Sequence, residues 1–562
     1  MKTKIITTLL MQTLLAVIVG FLVSIVANLF VEGTRYFLSL QTSSGALAIR
    51  IIDVEINLLP TLAMLISACL IVLVRKSLGV TKWSGPADSI YALHQQKVGV
   101  DVRTGLGSTL AALISASGGA SVGQYGPLVH FGATLSTILS RLPGLNISKD
   151  ILLACGVAAA ISAGFNAPIA GILFAHEALL RRFSIGAVAP ISVAAIVASA
   201  SNQYFGFANL AFLVPASNLE LAEVVPLVIL FAPVCSVVAV IYMLMLRNFQ
   251  KFAASGRFSF STLIFTTAVL VGIVGAFLPD VLGLGGPQIN KMVNGDYALT
   301  FLVVILIAKI LITAACIAFG FFGGVFGPAL FIGAALGGIL CSLLVEIGLP
   351  TDYGSIITIA TLAAVGSSVI GAPITVVLII VELTGSYEYG LMALLSVTLC
   401  STLTYRFFGL SFFDRQLLDR GIDLTRGREH IYMTQISVSE LTLSDCLTFQ
   451  RNLPGAQVLE KMRANQTTES YILNEDGSLH GKLDLHNLVE NMEEFEIHLD
   501  YSPTRLETSN SLTEALEIAS SFVGESIPVM EGDIFIGAIT EGDLFKEVLK
   551  IEESLRVQDS VI

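Results

Sequence analysis

Residues 123–133 read GQYGPLVHFGA, and residues 324–334 read GVFGPALFIGA. The strings agree at both core glycines, at the proline and at the trailing Gly-Ala, with an offset of 201 residues. A second pair follows in the same order: FNAPIAGILFAHE (165–177) and IGAPITVVLIIVE (370–382), offset by 205. In each, a glutamate follows the proline by nine positions, Pro168 to Glu177 and Pro373 to Glu382. Common Gly, Ala and Pro match easily by chance, but not twice in one order at nearly one spacing. The reading is two structural repeats of about 200 residues, the plan of transporters whose site lies at the repeat interface. The string itself signals an anion site. Glycines allow the backbone to turn so that successive N–H groups point one way. Proline is at home in a first helical turn. The free N–H groups and the positive dipole end then face a cavity.

Around these strings the chain is apolar. Of 562 residues, 54% are hydrophobic and 13% charged, and mean hydropathy is +0.80. Soluble domains carry about 25% charged residues, so the composition is that of a membrane protein. The charge is unevenly placed. Of 43 acidic and 31 basic residues, 24 and 8 lie in 431–562. A slightly basic apolar body is therefore followed by an acidic soluble tail, whose sign of charge excludes nucleic acid as a partner. The seven cysteines form no CxxC pair and read as small apolar packing residues. No metal-ligand spacing and no nucleophile–base constellation occurs, which argues against a metal site and against a hydrolytic enzyme. Lys2 and Lys4 precede a run, Ile5 to Leu29, too long for a signal peptide. It reads as a retained first membrane helix with its basic end in the cytoplasm.

Apolar helix candidates recur through the first 410 residues, beginning at about 9–30 and 58–74 and ending at 374–384 and 390–408. Several are shorter than the roughly 20 residues needed to cross a bilayer. Such helices stop inside the membrane, which is tolerated only where the free ends line a polar cavity or are buried in protein. After 430 the pattern changes. ESYILNEDGSLHGKLDLHNLVENM (469–492) and ESIPVMEGDIFIGAITEGDLFKEVL (525–549) each read as strand, turn, strand and helix. An amphipathic helix candidate precedes each, at 456–463 and 512–521.

These motifs together resemble the CLC chloride channel and transporter family followed by a pair of CBS domains, over essentially the whole chain. The family's GxxGP element stands at Gly123–Pro127 and its GxFxP element at Gly324–Pro328; KWSGPADSI (82–90) is an altered form of its first anion motif. The resemblance implies an all-α polytopic membrane domain, 1–430, of two inverted repeats of broken, tilted helices. A cytoplasmic α+β CBS pair, 431–562 (about 436–492 and 500–555), would follow. It implies a homodimer in the lipid bilayer with a chloride pathway in each subunit. The location expected is the plasma (inner) membrane, with both termini cytoplasmic. Ser84 and Gly85 match the residues that hold the central anion, where serine goes with chloride and proline with nitrate; a plain Ser-Gly turn is the alternative. Val325 and Phe326 match residues whose backbone N–H groups reach the anion.

Three positions depart from the family pattern. The gating glutamate is replaced by Tyr125, within Gly123, Gly126 and Pro127. Its ring plugs the pathway, or its hydroxyl donates to the anion. The second glutamate of exchangers, next to Glu177, is Ala178; His176 beside it reads as structural or as a substitute titrating group. The family's anion-coordinating tyrosine is Phe413. Loss of both carboxylates favours passive conduction. The alternatives are a proton-coupled antiporter with an unusual route through Tyr125, His176 or water, and a nucleotide-sensing protein whose pathway Tyr125 blocks. Lys309, in an apolar run, raises the potential of the pathway, snorkels or pairs with an acid. In the tail, Thr540 and Asp543 match the family's ribose contact, with a helix cap as the alternative. Asp484 and Asn487 are the degraded counterpart, so at most one site suits an adenine nucleotide. No other cofactor is expected.

Overall fold

The computed structural model describes residues 2–43, 48–51, 54–95, 98–142, 148–183, 185–207, 221–348, 353–441, 443, 445–490 and 499–560. The chain forms two compact units, Met1–Leu93 with Lys97–Gly421, and His94–Gln96 with Ile422–Ile562.

The first unit is helical. Eight described helices are long and apolar enough to cross a membrane, among them Leu59–Leu78, Ile185–Tyr204, Leu299–Ala318 and Phe326–Glu346. Shorter apolar helices lie between them, Gly354–Ile370 and Pro373–Thr384, as the broken-helix reading expects. The first helix runs Lys2–Ser43 rather than 9–30. Its 42 residues make about 63 Å at 1.5 Å per residue, roughly twice a bilayer core. Short helices at Pro86–Leu93, Gly286–Val293 and Phe412–Leu418 escaped the apolar-run criterion because each is only two turns long.

The repeats are visible in detail. Helices Tyr125–Leu139 and Lys149–Phe165 pack together in the first, Phe326–Glu346 and Gly354–Ile370 in the second. Lys149–Phe165 ends on left-handed Asn166 (φ 54°), and Gly354–Ile370 ends on left-handed Gly371 (φ 71°). These two residues are also equivalent in the alignment of the repeats. The following helix starts on Pro168 in one repeat and Pro373 in the other, with proline at a position that needs no N–H. Contacts between the repeats are exchanged in pairs. Gly123 N–H donates to Gly324 O at 2.7 Å, and Gly324 N–H to Gly123 O at 2.6 Å. Glu177 accepts from the N–H groups of Ile374 (2.9 Å) and Thr375 (2.8 Å). Glu382 accepts from Ile169 (3.0 Å) and Ala170 (2.9 Å). Residue i meeting j while i's counterpart meets j's counterpart is the signature of a two-fold relation.

The second unit has two matching three-stranded sheets. Thr448–Gln450, Glu469–Leu473 and Leu479–Asp484 form one; Leu506–Glu507, Ile527–Glu531 and Ile534–Ile539 form the other. In each, the first pair is parallel and the second antiparallel with an irregularity in register. Helices Gly455–Ala464 and Leu512–Ala519 cover them, as expected from the amphipathic pattern. Residues 491–492, the end of the first tail repeat, lie outside the described residues.

Candidate functional site

The reciprocal Gly123–Gly324 bridge brings two helix starts together. Tyr125–Leu139 and Phe326–Glu346 begin two residues beyond it. A helix's first N–H groups have no intrahelical acceptor, and among the described residues no acceptor meets those of Val325 and Phe326. Proline at 127 and 328 removes an N–H that would have gone unused.

The four glycines here serve a different end from the turn expected of them. None has positive φ; what they permit is close approach. A Cβ on Gly123 would sit 2.9 Å from Gly324 O, and one on Gly324 would sit 2.8 Å from Gly126 N. A Cβ on Gly126 would lie 3.3 Å from Pro86 Cγ, so the Ser84–Pro86 loop closes against the same point.

In that loop the backbone is already engaged. Ser84 N–H donates to Ser108 Oγ at 2.9 Å, and Gly85 N–H donates to Asp88 Oδ2 at 2.7 Å. The other Asp88 oxygen takes Arg420 Nη1 at 2.7 Å. Ser84 Oγ has no hydrogen-bond partner among the described residues, which leaves the hydroxyl as the group the loop can offer a ligand. Phe413 is buried in Phe412–Leu418, which packs against Pro86–Leu93; its side chain carries no donor.

Tyr125 is buried among aromatic rings. It stacks on Phe165 with ring centroids 3.6 Å apart and planes 7° from parallel. Phe326 meets both edgewise, at 5.8 and 5.5 Å. On one side of this cluster lies a cavity of about 490 Å³, lined by Tyr125 and Phe165 with Gln124, Arg35, Gly285 and Leu330 among others. Buried Thr34, Gln41 and Gln124 of its lining each present an oxygen with no hydrogen-bond partner among the described residues.

Ala178 is buried in a π-helical turn, Ala175–Leu180. The neighbouring Glu177 carboxylate is occupied by the Ile374–Thr375 helix start and by Thr375 Oγ1 at 2.6 Å. His176 Nδ1 lies 3.1 Å from Arg182 O, and its ring is 4.8 Å from that of Phe183. Lys309 is fully buried and makes no described ion pair. Its Nζ donates to Val281 O (2.9 Å) and Gly283 O (3.3 Å) and lies 4.6 Å from the Phe331 ring centroid. It therefore neither snorkels nor pairs with a described acid.

Two groups at the site were not singled out by the sequence reading. Tyr242 is fully buried and donates from its hydroxyl to Val325 O at 3.2 Å; nothing in its apolar helix marks it. Phe165 lay inside a quoted motif, but its partner ring is 40 positions earlier in the chain.

In the tail, Thr540 Oγ1 and Asp543 Oδ2 are 2.6 Å apart, and Asp543 N–H donates to Thr540 Oγ1 at 3.1 Å. That is the geometry of a helix cap. A cavity of about 440 Å³ lies beside the strand Ile534–Ile539 that leads into Thr540, lined by Ser437, Thr508, Glu531 and Ile536 among others.

Comparison with known proteins bears on the membrane unit. Residues 80–405 match the family model described as voltage gated chloride channel. An H(+)/Cl(−) exchange transporter ClcA from Vibrio vulnificus is 27% identical over 315 residues, 54% of this chain and 67% of that protein. Chloride channel protein CLC-f from Arabidopsis thaliana is 28% identical over 323 residues, 52% of this chain and 41% of that protein. The crystal structure of a eukaryotic CLC transporter superposes with a TM-score of 0.63 at 16% identity, over 95% of this chain and 98% of that one.

Proposed function

The chain belongs to the voltage-gated chloride channel family, and from that premise we propose that it conducts chloride passively across a membrane. One observation carries the passive reading. At the head of the helix that faces the cavity stands the neutral ring of Tyr125, packed on Phe165. A carboxylate can occupy an anion site and leave on protonation. A phenol with an ordinary pKa near 10 offers no such exchange at neutral pH. Ala178 removes the second titrating position, and the adjacent Glu177 is committed to capping a helix.

The pathway runs where the two helix starts meet. The Ser84 hydroxyl and the N–H groups of Val325 and Phe326 supply neutral donors to the anion. Neutral donors hold an anion without trapping it, as conduction requires. The two repeats are proposed to be inverted across the membrane plane, with both termini cytoplasmic in a plasma (inner) membrane, and the working unit to be a homodimer. The tail is proposed to be a CBS pair. Adenine nucleotide, where it binds, takes the cavity beside Ile534–Ile539; the Thr540–Asp543 cap weighs toward a structural role for that pair. No step of conduction runs through it.

A second reading has an observation in its favour: the Vibrio relative is named an exchanger. Here Tyr125, His176 or water would carry the proton. Purified protein in liposomes, with chloride and proton movement recorded together, separates the cases. Chloride flux without protons supports conduction, chloride-driven proton pumping supports exchange, and neither supports a blocked, nucleotide-sensing protein.

A further inference from the structure

We propose that Gly164 and Phe165 form a seat that holds the Tyr125 ring across the outer end of the pathway, making Phe165 the positioning residue of the gate. The inference rests on the chloride pathway proposed above and deepens it.

The seat has two parts. Phe165 supplies a flat face, 3.6 Å from the Tyr125 ring and 7° from parallel. Gly164 supplies the absence of a side chain: a Cβ there would lie 2.9 and 3.0 Å from Tyr125 Cδ1 and Cε1. Gly164 lies in the helix Lys149–Phe165 without positive φ, so its backbone does not require glycine. The ring does.

The seat is held from behind. Asn202 Nδ2 donates to Ala163 O at 2.7 Å, and Ser199 Oγ donates to Asn166 Oδ1 at 2.9 Å. Asn202 in turn accepts from Ser24 (2.7 Å) and Asn28 (2.6 Å) of the first helix. The last turn of Lys149–Phe165 is thus pinned on both flanks of Phe165, while the Tyr125 ring has open volume beside it. The cavity of about 490 Å³ touches both rings, and rotation about χ1 carries Tyr125 off the seat into that space. The second repeat has no such device. Phe326 occupies the position of Tyr125, but Val369 and Ile370 stand where Gly164 and Phe165 do. The seat belongs to one end of the pathway only.

Three substitutions test this in full-length protein in liposomes. Phe165→Leu removes the face and keeps apolar bulk. Gly164→Ala pushes on the ring while raising helix propensity, so it opens the gate without weakening the fold. Each is expected to raise chloride flux about two- to tenfold, the range corresponding to an aromatic pair. Phe165→Tyr keeps a flat face and should retain wild-type flux. The decisive readout is the background. In Tyr125→Ala protein, where no ring remains to seat, neither Phe165→Leu nor Gly164→Ala should change flux further. A merely structural role would persist in that background. Raised flux in Tyr125→Ala with unchanged flux in both seat variants overturns the seat and leaves the pathway intact. Equal effects with and without Tyr125 also overturn it. No chloride movement in any variant removes the pathway and the seat together.

Discussion

At the scale of single residues, the account turns on Tyr125 and Ser84. In the proposed pathway the ring of Tyr125 obstructs by packing, not by charge, so acid should not open it as it opens one gated by glutamate. Tyr125→Ala is expected to increase chloride flux, and Tyr125→Phe, which keeps the stack on Phe165, to leave it near wild type. Were the hydroxyl instead a donor to the anion, Tyr125→Phe would weaken chloride binding by about 0.5–1.5 kcal/mol, and up to about 3 with the charged partner. Chloride affinity measured calorimetrically beside flux tells these apart. Ser84 makes a separate prediction. Its N–H is taken by Ser108, so its hydroxyl is what it brings to selectivity. Ser84→Pro removes both donors and should shift permeability from chloride toward nitrate; unchanged ratios would take Ser84 out of the selectivity argument. Much of this scale was legible in the sequence, because motif residues sit at fixed spacing. The use of the glycines was not. Turning and close approach demand the same residue, and only the 2.9 Å clearance at Gly123 shows which applies. The stack on Phe165 was hidden for another reason: two rings far apart in the chain meet only when the helices carrying them are placed.

At the scale of elements, helix ends carry the argument. The Pro-to-Glu spacing of nine revealed a repeat but not its purpose. Each glutamate caps the start of the other repeat's short helix, satisfying N–H groups that Ile169, Ala170, Ile374 and Thr375 would otherwise leave unpaired. A carboxylate at a helix N-terminus also meets the positive dipole end. Glu177→Ala is expected to destabilise the folded membrane unit by about 1 kcal/mol or more, the cost of leaving partly buried helix-start donors unpaired. Glu177→Gln, which keeps an accepting oxygen, should lose less. Thermal stability in detergent measures both; equal stability of Glu177→Ala and wild type would remove the cap from the account. Helix existence was legible from apolar runs. Helix length at the N-terminus was not, since Lys2–Ser43 continues past the apolar stretch on residues that no hydropathy window would select. The two-turn helices, including Pro86–Leu93 after the Ser84 loop, carry too few residues for any periodicity.

At the scale of the molecule, a membrane unit and an acidic tail are joined in one chain. The charge step near 430 is written in the sequence. A tail core includes Tyr432 in the helix Arg428–Gln435, ahead of the first expected tail repeat at about 436, because that helix is amphipathic and too short to signal alone. Within the tail the two halves meet at several points, with Phe535 N–H donating to Gly477 O at 3.2 Å and the Tyr471 and Phe535 rings 4.9 Å apart, and one of the contacts is charged. Glu469 pairs with Lys482 at 2.7 Å and accepts from the N–H groups of Glu525 (3.0 Å) and Ser526 (2.9 Å). Burial pushes the Glu469 carboxyl up, but the Lys482 ammonium and these N–H donors outweigh it and hold it below its ordinary value of 4.5. A carboxyl lowered on folding stabilises above its ordinary value, and that stability is lost as pH falls through the lower folded value. The tail should therefore lose protection of Tyr471 and Ser526 backbone amides to hydrogen exchange below about pH 4.5. Glu469→Gln should flatten that dependence; an unchanged profile would place the acid sensitivity elsewhere.

The central claim is that chloride crosses without a proton partner, and one experiment addresses it directly. Purified protein is reconstituted in liposomes with a steep chloride gradient and equal pH on both sides, and internal pH is followed as chloride runs down. Rapid chloride movement with no proton movement beyond leak is the result this account predicts. Uphill proton transport driven by the chloride gradient, absent from protein-free liposomes and at a fixed ratio to chloride, would contradict it.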